Sequence, residues 1–157
     1  PELVKAWDRH RLAAALATVT AKPARVANDA DVQGLAAMSG HGVELVITLG
    51  TGVGTALFQD GILAPHLEFA QALFRKGETY NEQLGEAARS RMSHRKWQRR
   101  VERAVETLDC LVLFDHVYIG GGNAPRVDVK RLGQKASIVS NADGILGGLR
   151  LWEQDHI

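Results

Sequence analysis

The sequence predicts an α/β fold in which a mixed sheet with an antiparallel meander is flanked by helices. Three observations lead to this prediction: strand-like runs joined by glycine turns, helical periodicity on both sides of them, and strands alternating with helices in the second half of the chain. With 157 residues, of which 45% are hydrophobic and 24% charged, the chain has the size and composition of one globular domain. Disordered and fibrous classes are therefore excluded.

The first element is a helix from about Asp8 to Thr20, in an alanine-rich segment with apolar residues at helical spacing. Pro23 ends it, and Arg25-Val26-Ala27 follows as a short strand-like run. Asn28 and Asp29 then lie where this strand gives way to a second helix. That helix is predicted from about Ala30 to Ser39, since its first residues are small and acidic, as helix N-termini prefer.

A three-stranded meander follows. Its strands are predicted at Leu45 to Leu49, Thr55 to Gln59 and Ile62 to Ala64. Gly50-Thr51-Gly52 and Asp60-Gly61 join them, and an Asp-Gly pair is a strong signal for a tight hairpin turn.

The second half of the chain alternates helices and strands. We expect helices at Tyr80 to Met92 and Ser93 to Phe114, and strands at His116 to Ile119 and Ala136 to Ser140. Asn141 is a suitable N-cap for a last helix. Two late strands behind an antiparallel meander predict a mixed sheet with helices packed on it.

The glycine turn of the meander is a candidate phosphate site. Because they lack Cβ atoms, Gly50, Gly52 and Gly54 can take positive φ and let backbone N–H groups close around an anion, with the Thr51 hydroxyl as a further donor. The alternative is a purely structural hairpin turn, which is common. The turn alone does not separate these alternatives.

Charge is nearly balanced overall, at +1, but basic residues are concentrated between Arg89 and Arg103. An ordinary solvated helix surface is one interpretation, and a track for a polyanion is the other. Nucleic-acid binding is disfavoured, since no aromatic residues are interleaved with the charges.

Cysteine content and hydropathy exclude other classes. Cys110 is the single cysteine, so an intrachain disulfide or a cysteine metal cluster is excluded. Its apolar run, Cys110 to Phe114, is far shorter than the roughly 20 residues of a membrane-spanning helix. The polar start lacks a signal-peptide core, and we expect a cytoplasmic protein without a membrane partner.

Three segments resemble motifs of the ROK family of sugar kinases, whose domains have the RNase H-like fold of actin-type and hexokinase-type ATPases. Val26 to Asp31 resembles the sugar-site motif, Leu49 to Gly54 the second phosphate motif, and Ile119 to Asn123 the adenosine motif. Within that family, Arg91 to Val101 and Val139 to Ile145 are similar to the polyphosphate glucokinase branch. The resemblance implies a kinase that phosphorylates glucose or a related hexose.

For the sugar, the resemblance implies that Asp29 is the catalytic base and that Asn28 binds sugar hydroxyls. A helix-capping role is the alternative for Asp29. Glu68 falls where the family has a Glu-x-Gly-His sugar motif, but Gln71 takes the place of the His. Glutamine can donate a hydrogen bond but cannot be a cation. His66 is close by, and we interpret it as an ordinary surface residue.

For the donor, the resemblance implies that Gly50, Thr51, Gly52 and Gly54 hold the distal phosphates. Gly120-Gly121-Gly122 would pack against adenosine, or serve only as a structural turn if the donor is polyphosphate. The expected cofactor is Mg²⁺ with ATP or polyphosphate. No zinc is expected, because the cysteine-rich zinc motif of many relatives is absent.

The resemblance covers the C-terminal part of such a kinase. Relatives begin with an N-terminal lobe that bears an Asp-x-Gly-x-Thr loop, and no such loop occurs in these 157 residues, of which the first is Pro1. We therefore expect residues 1–157 to form a single C-terminal kinase domain with little activity alone, in a homodimer. The alternatives are a sugar-sensing transcriptional regulator, a degenerate sugar-binding protein and, last, an oligomerisation scaffold.

Overall fold

A computed structural model describes residues 11–66, 68–140 and 144–154. The helices are α1 (Leu12–Thr20), α2 (Asp29–Ala37), α3 (Tyr80–Leu84), α4 (Glu86–Ser90), α5 (His94–Val112) and α6 (Gly144–Arg150). The strands are β1 (Val43–Leu49), β2 (Val53–Gln59), β3 (Ile62–Leu63), β4 (Leu73–Arg75), β5 (Glu78–Thr79), β6 (His116–Gly120) and β7 (Ala136–Ile138). Short 3-10 turns lie at Phe69–Gln71, Ala124–Arg126, Val129–Leu132 and Leu151–Glu153.

Five strands form one mixed sheet in the order β3-β2-β1-β6-β7. The first three are the antiparallel meander, with Leu49 opposite Val53 at its glycine turn. β6 pairs in parallel with β1, and β7 pairs in parallel with β6. The prediction of a mixed sheet with a meander and flanking helices is confirmed.

The two faces of the sheet bury different helices, because β1 side chains alternate between them. Leu45, Ile47 and Leu49 pack in the larger core with Trp97 and Leu108 of α5. On the other face, the smaller core is built by residues of α2, the sheet and the last turn: Ala30, Leu35, Val46, Ala56, Phe58, Tyr118 and Leu151. α2 therefore lies directly on the meander that carries the glycine turn.

A buried carboxylate fastens α2 to the sheet. Glu44 accepts hydrogen bonds from the Ser39 and Gly40 N–H groups at 2.7 and 2.8 Å and from the Tyr118 hydroxyl at 2.8 Å. Burial raises the pKa of Glu44, but these hydrogen bonds outweigh it and lower the pKa overall. Burial, together with the bond to Glu44, raises the pKa of Tyr118 to about 12. The loop after α2 is thereby held against β1 and β6.

Three local predictions are wrong or incomplete. Arg25-Val26-Ala27 joins no strand, and the Arg25 guanidinium instead donates to the Leu151 and Gln154 carbonyls. The helix expected over Tyr80 to Met92 is broken at Gly85, which is extended at φ −61° and ψ 170°. The β4–β5 hairpin, with positive φ at Lys76 and Gly77, was not predicted. The proposed cap Asn141 lies outside the described residues.

No helix in the described part of the chain is both long enough and apolar enough to cross a lipid bilayer.

Candidate active site

A cleft of about 670 Å³ opens where β1 turns into β2. We call it the central cleft. The N-terminus of α2, the β1–β2 turn and the loop after β6 line it, together with residues that follow β3. Nine of the predicted site residues lie in it: Asn28, Asp29, Gly50, Thr51, Gly52, Gly54, Glu68, Gly121 and Gly122. Residues far apart in the chain thus meet at one opening.

Asp29 is the first residue of α2 and is exposed to the cleft. The N-cap of this helix is Asn28, whose Oδ1 accepts a hydrogen bond from the Ala30 N–H at 3.0 Å. The Asp31 carboxylate accepts a hydrogen bond from the Asn28 N–H at 3.3 Å, which completes a capping box. Asp29 Oδ1 also accepts from the Ala30 N–H, at 2.9 Å. The helix N-terminus therefore orients the Asp29 carboxylate while leaving the side chain accessible.

The glycine turn presents few donors that are not already used. The Gly50 N–H donates to the Gly52 carbonyl and the Val53 N–H to Asn81 Oδ1, both at 2.9 Å. Within the described residues, this leaves the N–H groups of Thr51 and Gly52 and the Thr51 hydroxyl for an anion. Thr51 is exposed.

The expectation of positive φ in this turn is wrong. None of Gly50, Gly52 and Gly54 has a positive φ. Small size is instead required at two of them, because a Cβ on Gly52 would lie 2.6 Å from Asn81 Oδ1 and one on Gly54 would lie 2.6 Å from Thr48 Oγ1 and 3.1 Å from Ala30 Cβ. Gly54 thus lets the first turn of α2 pack closely on the start of β2.

The loop after β6 is braced against the same turn. Gly121 has φ +84°, and a Cβ there would lie 2.5 Å from the Leu49 carbonyl oxygen. The Asn123 N–H donates to that carbonyl at 2.8 Å, and the Asn123 side chain donates to the Gly50 carbonyl at 3.4 Å. A left-handed residue without a side chain is required where the two loops touch.

Two predicted site residues are not brought into the central cleft. Gly120 is buried in β6 opposite Thr48, where a Cβ would clash with the Gln33 side chain. Gln71 is exposed at the end of a 3-10 turn, and its N–H donates to the Glu68 carbonyl at 3.4 Å. The requirement for glycine at position 120 comes from packing within the domain.

His66 lines the central cleft, although the sequence suggested only an ordinary surface residue. Its Nδ1 lies 3.7 Å from Asp31 Oδ1 and its Nε2 lies 3.5 Å from Glu68 Oε2. Burial raises the pKa of Asp31, while the nearby His66 counteracts this shift. The His66 ring therefore lies between the carboxylates of Asp31 and Glu68.

Five further lining residues were not predicted as site residues from the sequence: Val32, Gln33, Thr48, Val53 and Thr55. Thr48 could have been recognised from the sequence as a candidate site residue, because it is a polar residue near the end of an apolar strand. No sequence pattern indicated Gln33, because only the packing of α2 against β6 brings it to the cleft.

In the described part of the chain, no group of three or more His, Cys, Asp and Glu side chains is arranged to hold a metal ion. Asp29 and Glu68 supply carboxylates to the central cleft. Mg²⁺ is commonly held by one or two carboxylates together with substrate phosphates and water. The described residues of the cleft therefore offer single carboxylates rather than a complete ligand set, and a metal ion here would have to bind together with a phosphorylated substrate.

Comparison with known proteins identifies relatives of this chain. No family model matches the chain. Over 145 residues it is 26% identical to a polyphosphate glucokinase of Mycobacterium leprae, and the match covers 83% of this chain and 44% of that protein. The crystal structure of an inorganic polyphosphate/ATP-glucomannokinase from Arthrobacter sp. strain KM superposes with a TM-score of 0.80 at 29% identity, covering 96% of this chain and 65% of that one. The chain is homologous to polyphosphate glucokinases.

The fold is that of ROK family sugar kinases, as predicted. A ROK family glucokinase from Streptomyces griseus, crystallised with glucose and AMPPNP, has a TM-score of 0.72 at 15% identity, covering 89% of this chain and 71% of that one. A ROK family transcriptional regulator shares the fold at a TM-score of 0.59 and 14% identity, so the fold alone does not separate kinase from regulator. The chain spans about half the length of the glucokinases it matches.

Proposed function

We propose that this chain is the C-terminal part of a glucokinase-like sugar kinase. The enzyme transfers a phosphoryl group from polyphosphate, ATP or both to the 6-hydroxyl of glucose or a related hexose. The observation that carries the proposal is the convergence of Asp29 and the glycine turn in one cleft. Homology to polyphosphate glucokinases supports the same reaction.

Asp29 is assigned as the catalytic base. The hexose hydroxyl oxygen forms a bond to the terminal phosphorus of the donor, the bond between that phosphorus and its bridging oxygen breaks, and the hydroxyl proton passes to the Asp29 carboxylate. Asn28, beside it on the rim, is assigned to sugar hydroxyls. The exposed Asp29 side chain, oriented by the Ala30 N–H, supports this role.

The donor phosphates are assigned to the glycine turn. The N–H groups of Thr51 and Gly52 and the Thr51 hydroxyl are the donors available to them, and Gly50 and Gly54 shape the turn. Gly121 and Gly122 form the adjacent wall, whereas Gly120 acts through packing. Mg²⁺ bound with the donor would neutralise charge on the transferring oxygens.

On the sugar side, Glu68 is assigned to the hydroxyls near the anomeric carbon. His66 lies between Glu68 and Asp31 and can hold the Glu68 carboxylate in place. Gln71 is assigned at most a peripheral contact, because it is exposed and does not line the cleft.

The catalytic assignment is tested by Asp29→Asn in the complete protein, with Asp128→Asn as the matched control. Asp128 is exposed, and its hydrogen bonds to Gln98 use its backbone rather than its carboxylate. We expect Asp29→Asn to lower kcat for hexose phosphorylation by about 100-fold or more while glucose still binds. Full activity of Asp29→Asn would refute the assignment.

We also propose that the 157-residue chain has little activity alone, because phosphoryl transfer requires groups positioned on both sides of the reacting phosphate. The protein is expected to act in the cytoplasm as a homodimer. A sugar-sensing regulator is the second candidate, since the fold is shared with one. Hexose binding by the complete protein without any phosphorylation would favour that candidate.

A further inference from the structure

A second cavity, of about 390 Å³, lies beyond the loop that follows β6. We call it the distal pocket. Its lining residues are Arg89, Met92, His94, Pro125 and Arg126, so three of them are basic side chains and none is acidic. None of the assignments made for the central cleft uses this pocket.

One wall of the distal pocket continues directly from the central cleft. Gly121 and Gly122 line the cleft, and Pro125 and Arg126 line the pocket. The segment between them is a tight turn, with the Ala124 N–H donating to the Gly121 carbonyl at 3.0 Å. Four residues of chain span at most about 15 Å, and a 3-10 turn shortens that distance. The two cavities are therefore neighbours.

The opposite wall is continuous as well. The Glu86 N–H, at the start of α4, donates to the carbonyls of Gly50 and Thr51 at 2.9 and 3.3 Å. One helical turn further on, Arg89 lines the distal pocket and donates to the Glu86 carboxylate from Nε at 2.7 Å and from Nη2. α4 thus runs from the phosphate turn to the pocket.

Charge in the distal pocket favours an anion. The Glu86 carboxylate, the acidic group beside the pocket, is neutralised by Arg89, whose hydrogen bonds are the main cause that lowers the pKa of Glu86 to about 2. Arg126 is exposed and makes no ion pair with any residue that the structure describes. A free guanidinium binds phosphate oxygens well, since its donors match their geometry.

We propose that the distal pocket binds phosphoryl groups of linear inorganic polyphosphate that lie beyond the group held by the glycine turn. Arg126 supplies the free cationic contact and the His94 ring a further hydrogen-bond donor, whereas the charge of Arg89 is offset by Glu86. This subsite rests on the proposed function, because it extends the donor site of the central cleft. A long donor therefore gains contacts that a short donor does not reach.

The test measures binding to the 157-residue chain by calorimetry, with tripolyphosphate, long-chain polyphosphate and ATP as probes. The variants are Arg126→Ala, His94→Ala and the double variant, with Arg126→Lys as the charge-conserving form. Arg103→Ala is the matched control, because Arg103, on α5, is also an exposed arginine but does not line the distal pocket. Circular dichroism verifies that each variant is folded.

We expect Arg126→Ala to weaken long-chain polyphosphate binding about two- to fivefold, as for one exposed ion pair, and His94→Ala to weaken it as well. The affinities for tripolyphosphate and ATP stay unchanged, and Arg126→Lys keeps most of the binding. The slope of log K against log salt for the long chain becomes shallower by about 0.7 in Arg126→Ala. Arg103→Ala leaves the affinity for all three probes unchanged.

Other outcomes overturn the subsite. An equal loss with Arg103→Ala would assign the effect to the general charge of α5, and an equal loss of ATP affinity would make the pocket a nucleotide site. Unchanged long-chain binding in the double variant would remove the subsite and leave the function of the central cleft intact. Failure of the unmodified chain to bind any phosphate probe would count against the donor site as well.

Discussion

Replacing Gly121 by alanine tests whether the contact between the two site loops holds the domain together. Gly121 has φ +84°, and its missing Cβ would lie 2.5 Å from the oxygen and 2.7 Å from the carbon and nitrogen of Leu49. The left-handed conformation costs a non-glycine residue about 1–2 kcal/mol. The clash adds about 1–3 kcal/mol, because its partner is strand backbone, which cannot rotate away.

We therefore expect Gly121→Ala to lower the free energy of unfolding by about 2–5 kcal/mol. Urea unfolding followed by circular dichroism measures this, with an unchanged m-value as evidence that the unfolded state is the same. Gly122→Ala is the matched control, since a Cβ there meets nothing within 4 Å and its φ is not positive. Equal stabilities of the two variants would refute the role given to the loop contact.

Two other substitutions test the hydrogen bonds that support the site. Tyr118→Phe removes a donor to buried Glu44 and should cost about 1–3 kcal/mol at neutral pH. Because folding raises the pKa of Tyr118 from 10.0 to about 12, the folded state binds its proton more tightly, so the unmodified chain loses stability as the pH rises through that window. Unfolding titrations should show this loss in the unmodified chain and not in the variant; its persistence in Tyr118→Phe would contradict the assignment. Asn81→Ala removes the acceptor of the Val53 N–H and should weaken tripolyphosphate binding, measured by calorimetry; an unchanged affinity would show that the turn is rigid without it.

The elements that sequence reasoning located correctly are those with local causes. Strand alternation and the Asp60-Gly61 turn predicted the meander, and the apolar face of α5 predicted its length within two residues at either end. The two misses have different causes. Gly85 interrupts a periodic segment because it packs against the Thr51 carbonyl, a contact with a distant loop. The β4–β5 hairpin was missed although Lys76-Gly77 is a turn signal.

For the candidate site, the sequence by itself determined which residue types are available: a carboxylate after Asn28, a threonine within glycines, and a glycine run after the strand at His116. These are local patterns, and short-range backbone preferences decide them. Only the tertiary structure decided which of them share an opening. The packing of α2 on the sheet brings Asp29 beside Gly54 and Gln33 beside Gly120, while the segment after β3 contributes His66 but not Gln71 to the cleft. Such distances depend on how helices and strands bury their apolar faces against each other, and that is a property of the whole core rather than of any one segment.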